Sequence, residues 1–542
     1  MINIGSIDLY IYIEMKKAIL ILLLLGLFDI GAKADFKQVI SVDKKVSEFK
    51  DTIDLSSPLG AFTASAYMQI KGNDSVCFDK IFTFRFCPLG KVYRNREVKP
   101  EERTEILSRE VKQVIYYNDY IAGVISSFGA WGDEYKYLLV GLVYENGRWV
   151  NAGEQPVKSI KEGLLWLKER LAPSLEKYVQ YSSRIATVST DTVSFINYIK
   201  SNGQKPEVFL LDVLKKHKIV LYGEHHFYKP SWDLMKRLVQ SPEFPEVAGT
   251  VFLEMKKGNQ ERINKFFNTE TLDRDLLLDI LGGDYQYGWN DKGMYEFLIT
   301  LWNVNHHLSP EKKIRVIFPD FGMSWLDIKT EEDLNRWERY SFQDRDTCMA
   351  DVTEKIIREN KDTRGNLFIV GSNHACKHAN GVPSLGNLLK KRFSDEEVYS
   401  VLLHKVWGDN AGNVYGKMRK GLFDYVFNLN GNKPVAFALS NSPFGSEPCD
   451  FTLEYQGVPI DGTFEDNFDA YVFLQPLEKD KEGYFLVEEM YTDLFINEIK
   501  RRCKLSGDKY PYRGLLLDDL TKEWRINQLN GIKDKKKYPM FE

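Results

Sequence analysis

The chain from about residue 190 to 542 reads as an α/β fold, a mainly parallel sheet flanked by helices, preceded by a small α+β domain. Two observations predict this. Four short apolar runs, KIVLY, GTVFLE, IRVIFPD and NLFIVGS, are separated by stretches of helical periodicity. Strands alternating with helices build βα units and hence parallel sheet. The runs also end on acids, amides or imidazoles, and open parallel sheets bind ligands beyond the carboxyl ends of their strands.

Residues 1–34 read as a signal peptide. Lys16 and Lys17 precede the apolar stretch Ala18–Phe28, and Ala32-Lys33-Ala34 fits a cleavage site. The segment before Met15 fits no part of that pattern, so Met15 is the expected start. The apolar stretch is short for a membrane span, and no cysteine stands at the cleavage point. The expectation is an exported chain, periplasmic or secreted, with no lipid anchor and no transmembrane segment in its mature form.

Residues 35–185 read as an accessory α+β domain. In Lys136–Val150, KYLLVGLVYENGRWV, two apolar runs flank Asn146-Gly147, a strong hairpin signal. A curved sheet with a helix is expected, without a cluster of chemistry-bearing residues. The polar stretch Tyr181–Thr192 marks the boundary. Six cysteines in 542 residues make no disulfide scaffold. Cys77 and Cys87 have the placement to pair across a hairpin, and free buried thiols fit as well. The formal charge of -4 and the lack of a basic stripe exclude a nucleic-acid surface. The lysine-rich tail at Lys533–Lys537 reads as a frayed terminus.

Two helices are plain from residue 190 onward. Met294, Phe297, Leu298, Leu301 and Trp302 form one apolar stripe, and Met349, Val352, Ile356 and Ile357 form another. His306 and His307 end the first helix, where imidazole suits the dipole. They read as structural.

The candidate site follows from what comes after each apolar run. Glu224, His225 and His226 follow the first, Glu254 the second, Asp320 the third, and Asn373 and His374 the fourth. His404 ends a further run, VYSVLLH. Neighbouring residues of an extended chain point to opposite sides, and His226 is the one expected to face the rim. Glu224 alternatively caps a helix, and Glu254 alternatively pairs with Lys256, Lys257 or Arg262. His378 shares a helix face with His374 if a helix begins there. Cys376 reads as a packed thiol. HACKH, His374–His378, has the spacing of H-E-x-x-H but lacks its glutamate. The chain shows no G-x-S-x-G elbow, P-loop or dinucleotide fingerprint.

GEHH (Gly223–His226) and GSNH (Gly371–His374) are two G-x-x-H motifs, each ending an apolar run. With Glu254 between them, they resemble the Tiki/TraB metalloproteases and the ChaN-like haem-uptake proteins. The chain is also similar to the erythromycin esterases, through GE after the first run, FLEM at the second, YGWNDKGMYEFLITLWNVN before IRVIFPDFGM, and RDTCMA (Arg345–Ala350). The resemblance spans roughly Val208 to Gly386, more weakly through Asn467–Glu478. It implies a site of Glu224, His226, Glu254 and His374, supported by Arg345 and Asp320. Two positions depart from the esterase pattern. Phe227 and Gly371 stand where those enzymes carry histidines, so the Tiki-like and ChaN-like branch is the better match.

Two functions follow as expectations. The first is a hydrolase of a peptide or ester bond in a small-molecule or peptide substrate. Water is activated by histidine and glutamate, and Arg345 faces a developing oxyanion. Its metal-assisted form draws ligands from His226, Glu254, His374, His378 and Asp320, with Mn, Fe, Co or Zn all compatible with mixed N/O ligands. The second is haem or iron binding without catalysis, with the aromatic stretch Asp284–Asn290 as a flat wall. A family member that binds without catalysis is the third possibility. The oligomeric state stays open.

Overall fold

The computed structural model describes residues 36–71, 98–128, 135–145, 147–173, 175–176, 188–340, 345–377, 384–405, 407–408, 414–450, 452–453, 458–459, 462–479, 483–508, 511–512 and 515–533. The expected signal peptide, Cys77, Cys87, Asn146, His378 and Lys535–Lys537 lie outside them. The chain forms two compact units, 1–184 with 455–459, and 185–454 with 460–542.

The first unit is an antiparallel meander. Strands β1 (Gln38–Lys45), β2 (Glu110–Tyr116), β3 (Ile121–Ser127), β4 (Tyr137–Glu145) and β5 (Arg148–Val157) pair in sequence order. Glu145 pairs with Arg148 across the β4–β5 turn, and Gly147 has a φ of 79°. That left-handed backbone is what an Asn-Gly hairpin requires. Helix α1 (Pro58–Lys71) packs Phe62 and Ala66 into the cluster that holds Val114, Val124 and Val140. Helix α2 (Ile160–Trp166) runs on to Leu171, and Leu167 and Leu171 share a cluster with Ile125, Leu139 and Val143. Helices therefore cover both faces, where one helix was expected.

The second unit holds a seven-stranded sheet. Its strands are β6 (Ile219–Glu224), β7 (Ala248–Leu253), β8 (Arg315–Ile317), β9 (Gly365–Gly371), β10 (Val398–Leu403), β11 (Val435–Ala438) and β12 (Ala470–Phe473). The spatial order is β11-β12-β10-β6-β9-β7-β8. All pairs are parallel except the edge pair of β11 with β12. The chain leaves β6 for β7 and β8, returns to insert β9 beside β6, then crosses to β10 on the other side. Adjacent strands β6 and β9 thus send their connections in opposite directions. A crevice opens beyond their carboxyl ends, where such sheets hold ligands.

The apolar runs are strands because both sheet faces are covered. Val220, Tyr222, Val251, Leu253, Leu367 and Ile369 enter one core, and Ile219, Leu221, Phe252, Phe368 and Val370 enter the other. With nothing facing water, a parallel strand reads as continuous apolar sequence. Helices α3 (Lys229–Gln240) and α4 (Lys292–His307) fill the first core with Trp232, Met235, Phe297 and Leu301. Helix α5 (Arg345–Glu359) fills the second with Met349, Ala350 and Ile357. Both predicted stripes are thus realised. Asp291 starts α4 by accepting from the backbone N–H groups of Gly293 and Met294 at 2.8 and 3.2 Å, the N-cap role that suits aspartate. Among the described residues, no helix is long and apolar enough to cross a membrane. Cys348, Cys376, Cys449 and Cys503 are buried.

Phe252 and Phe368 stack across the β7–β9 pair with centroids 5.3 Å apart. Phe368→Ala should cost about 3–5 kcal/mol and lower the urea midpoint without changing the slope of the transition. An unchanged midpoint would mean that this pair does not bear on the core.

Candidate active site

Three adjacent parallel strands deliver the site. Glu224 is the last residue of β6 and pairs in register with Gly371, the last residue of β9. Glu254 follows β7 directly. His374 lies in a one-turn helix, Ser372–Ala375, that follows β9. Glu224 and Glu254 are 3% and 4% exposed, so their charges need partners at hand.

Glu254 receives the most. Arg345 Nη2 donates to its Oε1 at 2.7 Å, and the backbone N–H of Gly371 donates to its Oε2 at 2.9 Å. His374 Nε2 stands 3.3 Å from Oε1, and His226 Nε2 stands 4.0 Å from Oε2. Arg345 in turn grips Asp320, through Nη2 at 2.7 Å and Nε at 3.1 Å. Tyr285 adds its hydroxyl oxygen 3.3 Å from Arg345 Nη2. Against the burial that opposes its charge, His374 and then Arg345 hold Glu254 well below the usual carboxylate range.

The two histidines are built alike. His226 Nδ1 bonds Glu224 Oε1, and His374 Nδ1 bonds Asp346 Oδ1 at 2.8 Å. Each ring is therefore oriented by a carboxylate on Nδ1, and each turns Nε2 toward Glu254. Burial works against a charge on either ring, but the surrounding carboxylates win. Glu224, then Glu254 and Asp291, raise His226 to about 9. Glu254 and Asp346 raise His374 to about 10. Around Arg345 and the two imidazoles stand four carboxylates, Glu224, Glu254, Asp320 and Asp346.

Gly371 is fixed by close approach. A Cβ there would lie 3.3 Å from His226 Nε2 and 3.4 Å from Glu254 Oε2, so a larger residue would push the ring off the carboxylate. Phe227 takes a left-handed backbone, φ 62°, which costs an L-residue about 1–2 kcal/mol. Its N–H donates to Asp291 Oδ2 at 2.9 Å, and the same oxygen accepts from Trp232 Nε1 at 3.0 Å. Asp291 is thus both the cap of α4 and the anchor of the His226 loop. Burial, reinforced by Glu224, raises Asp291 to about 7.

Glu224, His226, Glu254, His374, Arg345 and Asp320 come together as the sequence implies, and His226 rather than His225 bonds Glu224. Other expectations need correction. Arg345 is committed to Glu254 and Asp320, so it clamps these carboxylates rather than standing open to an oxyanion. The donor set does not fit a resident divalent cation. Glu254 and Asp320 already share a guanidinium, and among the described residues no three His, Cys, Asp or Glu side chains form a ligand group. The helix expected to carry His378 on the face of His374 ends at Ala375, and His378 lies outside the described residues. His404 is buried away from the rim, with Nδ1 2.7 Å from the Tyr471 hydroxyl and Nε2 3.4 Å from Asp424. His306 stacks on Trp302 at 4.5 Å and His307 bonds the Asn303 carbonyl, the structural roles expected. Sequence reasoning missed Asp346 and Asp291, and it placed Tyr285 in an aromatic wall without its contact to Arg345. The RDTCMA motif, in which Asp346 follows Arg345, was the one available signal for the first.

No protein-family model and no curated protein matches this sequence. Solved structures do. One is a succinoglycan biosynthesis protein, 13% identical, covering 53% of this chain and 98% of its own, with a TM-score of 0.37. Another is an erythromycin esterase mutant in an open conformation, 12% identical, covering 49% and 92%, with a TM-score of 0.33. A third is ChaN of Campylobacter jejuni with cofacial haem, 19% identical, covering 38% and 88%, with a TM-score of 0.27. The last two are kinds of protein that the sequence resembles, ChaN through GEHH and GSNH and the esterase through GE, FLEM and RDTCMA. At such identities the likeness carries nothing about chemistry.

The raised histidines make a prediction for stability. A group whose pKa rises on folding stabilises fully below its unfolded value, near 6.5. That contribution is lost as pH climbs through about 9 for His226 and about 10 for His374. Urea unfolding should therefore show stability falling from pH 7 to 10. His226→Gln and His374→Gln should each flatten that fall. An equal fall in wild type and both variants would refute the assignment.

Proposed function

We propose that this is the active site of a hydrolase that cleaves a peptide or ester bond by paired acid–base catalysis. The observation that carries this is the duplicated dyad. Two imidazoles, each held at Nδ1 by a carboxylate, aim Nε2 at one clamped glutamate. A carboxylate on Nδ1 fixes ring orientation and steadies the imidazolium that forms when Nε2 takes a proton.

The roles divide by environment. His374 sits between two carboxylates within 3.3 Å and holds its proton more firmly. It is the acid that protonates the leaving group. His226 has only Glu224 in direct contact, with 4.0 Å to Glu254. It yields its proton first, and as neutral imidazole it takes one from the attacking water. Glu254 holds the pair in charge balance and remains ionised. Arg345 and Asp320 position Glu254, and Asp346 positions His374. These residues do the proton transfers without an added group.

Haem binding is the alternative, since the expected aromatic wall exists in Tyr285 and Trp289.

Purified protein should hydrolyse p-nitrophenyl acetate or a quenched-fluorescent peptide mixture. His374→Ala should lower that rate by about 10²–10⁴ with its circular dichroism unchanged. Titration with haemin should give no Soret shift. An active, folded His374→Ala protein would remove the catalytic assignment, and a shifted Soret band would move the site to haem binding.

A further inference from the structure

Beside His226 stands a column of three rings that the proton transfers do not use. Trp289 lies between Phe227, at 5.6 Å and 28°, and Tyr285, at 5.2 Å and 31°. His226 meets Trp289 at 4.9 Å, nearly perpendicular to it. The three aromatic residues are only partly buried, whereas the strands beneath them are buried throughout.

The chain goes to some length to build this column. Phe227 occupies a left-handed backbone that glycine would adopt without strain, yet a large ring is placed there. Gly288 at φ 76° turns the chain immediately before Trp289, and a Cβ on it would lie 2.8 Å from the Phe495 ring. The segment that follows is pinned by Leu486 N–H to the Asn290 carbonyl at 2.8 Å. The Trp289 indole N–H is buried with no hydrogen-bond partner among the described residues. A buried donor without a partner is costly unless something supplies an acceptor.

We infer that Phe227, Trp289 and Tyr285 form the recognition wall of the site, taking a planar aromatic group of the substrate next to the scissile bond, with an oxygen acceptor for the Trp289 indole. The aromatic preference rests on the hydrolase reading for its position beside a scissile bond, but not for the binding itself. Rings favour offset stacking or edge-on contact with other rings, and a wall in contact with the His226 imidazole sets that group directly against the base.

The test separates binding from turnover. 2-Naphthol is flat, carries one acceptor oxygen and has no bond to hydrolyse. Equilibrium dialysis should show it bound by the full chain and by His374→Ala. Trp289→Ala should weaken binding about tenfold, Phe227→Leu should also weaken it, and Trp289→Phe, which keeps a ring but loses the indole N–H, should fall between wild type and Trp289→Ala. In a pH-stat, the kcat/KM ratio of ethyl phenylacetate to ethyl acetate should fall several-fold in Trp289→Ala. Dependence of 2-naphthol binding on Trp289 with neither ester turned over would keep the wall and remove the hydrolase. Ester turnover with an unchanged ratio, or equal 2-naphthol binding by wild type and the folded Trp289 and Phe227 variants, would overturn the wall.

Discussion

The burial of one charge organises this site. Glu254 sits at the end of β7 with almost no exposure, and a carboxylate in that position is tolerable only when charge and hydrogen bonds meet it from several sides. β9 supplies the Gly371 N–H and, one turn later, His374. α5 supplies Arg345 from its first residue. The segment after β8 supplies Asp320, which keeps Arg345 turned toward Glu254. β9 and α5 thus meet the same oxygen pair, and the segment after β8 steadies one of its donors. The parallel sheet is what makes this possible, since it brings the carboxyl ends of three strands to one edge.

The clamp also explains how the histidines are tuned. An anion surrounded only by Arg345 and a backbone N–H would leave the two imidazoles as bystanders. Here each ring has a second carboxylate behind it, Glu224 or Asp346, so the protonated form is favoured against burial. Asp346 does more than orient a ring, because its Oδ1 also accepts from the N–H of Leu385 at 2.6 Å. The His374 dyad is therefore tied to the start of the helix Leu385–Arg392. The two dyads are alike in bonding and differ in what fixes them.

Much of this was legible in the sequence, for a definite reason. Strands covered on both faces leave apolar runs without alternation, so KIVLY and NLFIVGS could be found, and the first polar residue after each had to lie on the rim. What could not be read were partners fixed by tertiary geometry. Asp346 is one residue past Arg345 on a helix, and no periodicity distinguishes it from a surface acid. Asp291 reads as an ordinary helix cap, which it is, and nothing in its neighbours announces that its other oxygen holds the Phe227 loop. The metal expectation met the same limit. A sequence shows how many carboxylates and imidazoles follow the strands, but not that a guanidinium already occupies the space between two of them. His404 ends a strand just as His374 nearly does, yet its ring turns into the core against Tyr471 and Phe427.

Phe227 and Gly371 are physically linked. With the first histidine at position 226, two residues after Glu224, the ring lies against the last residue of β9, the in-register partner of Glu224. Any side chain at position 371 would begin 3.3 Å from that ring, so a histidine there and a histidine at 226 in this pose compete for one volume. Glycine at 371 settles the competition for His226. Position 227 carries a ring of the aromatic column, at the cost of a left-handed backbone held by Asp291. Phe227 and Gly371 are thus two parts of one arrangement: the glycine leaves room for the His226 ring, and the residue after His226 adds an aromatic side chain beside it.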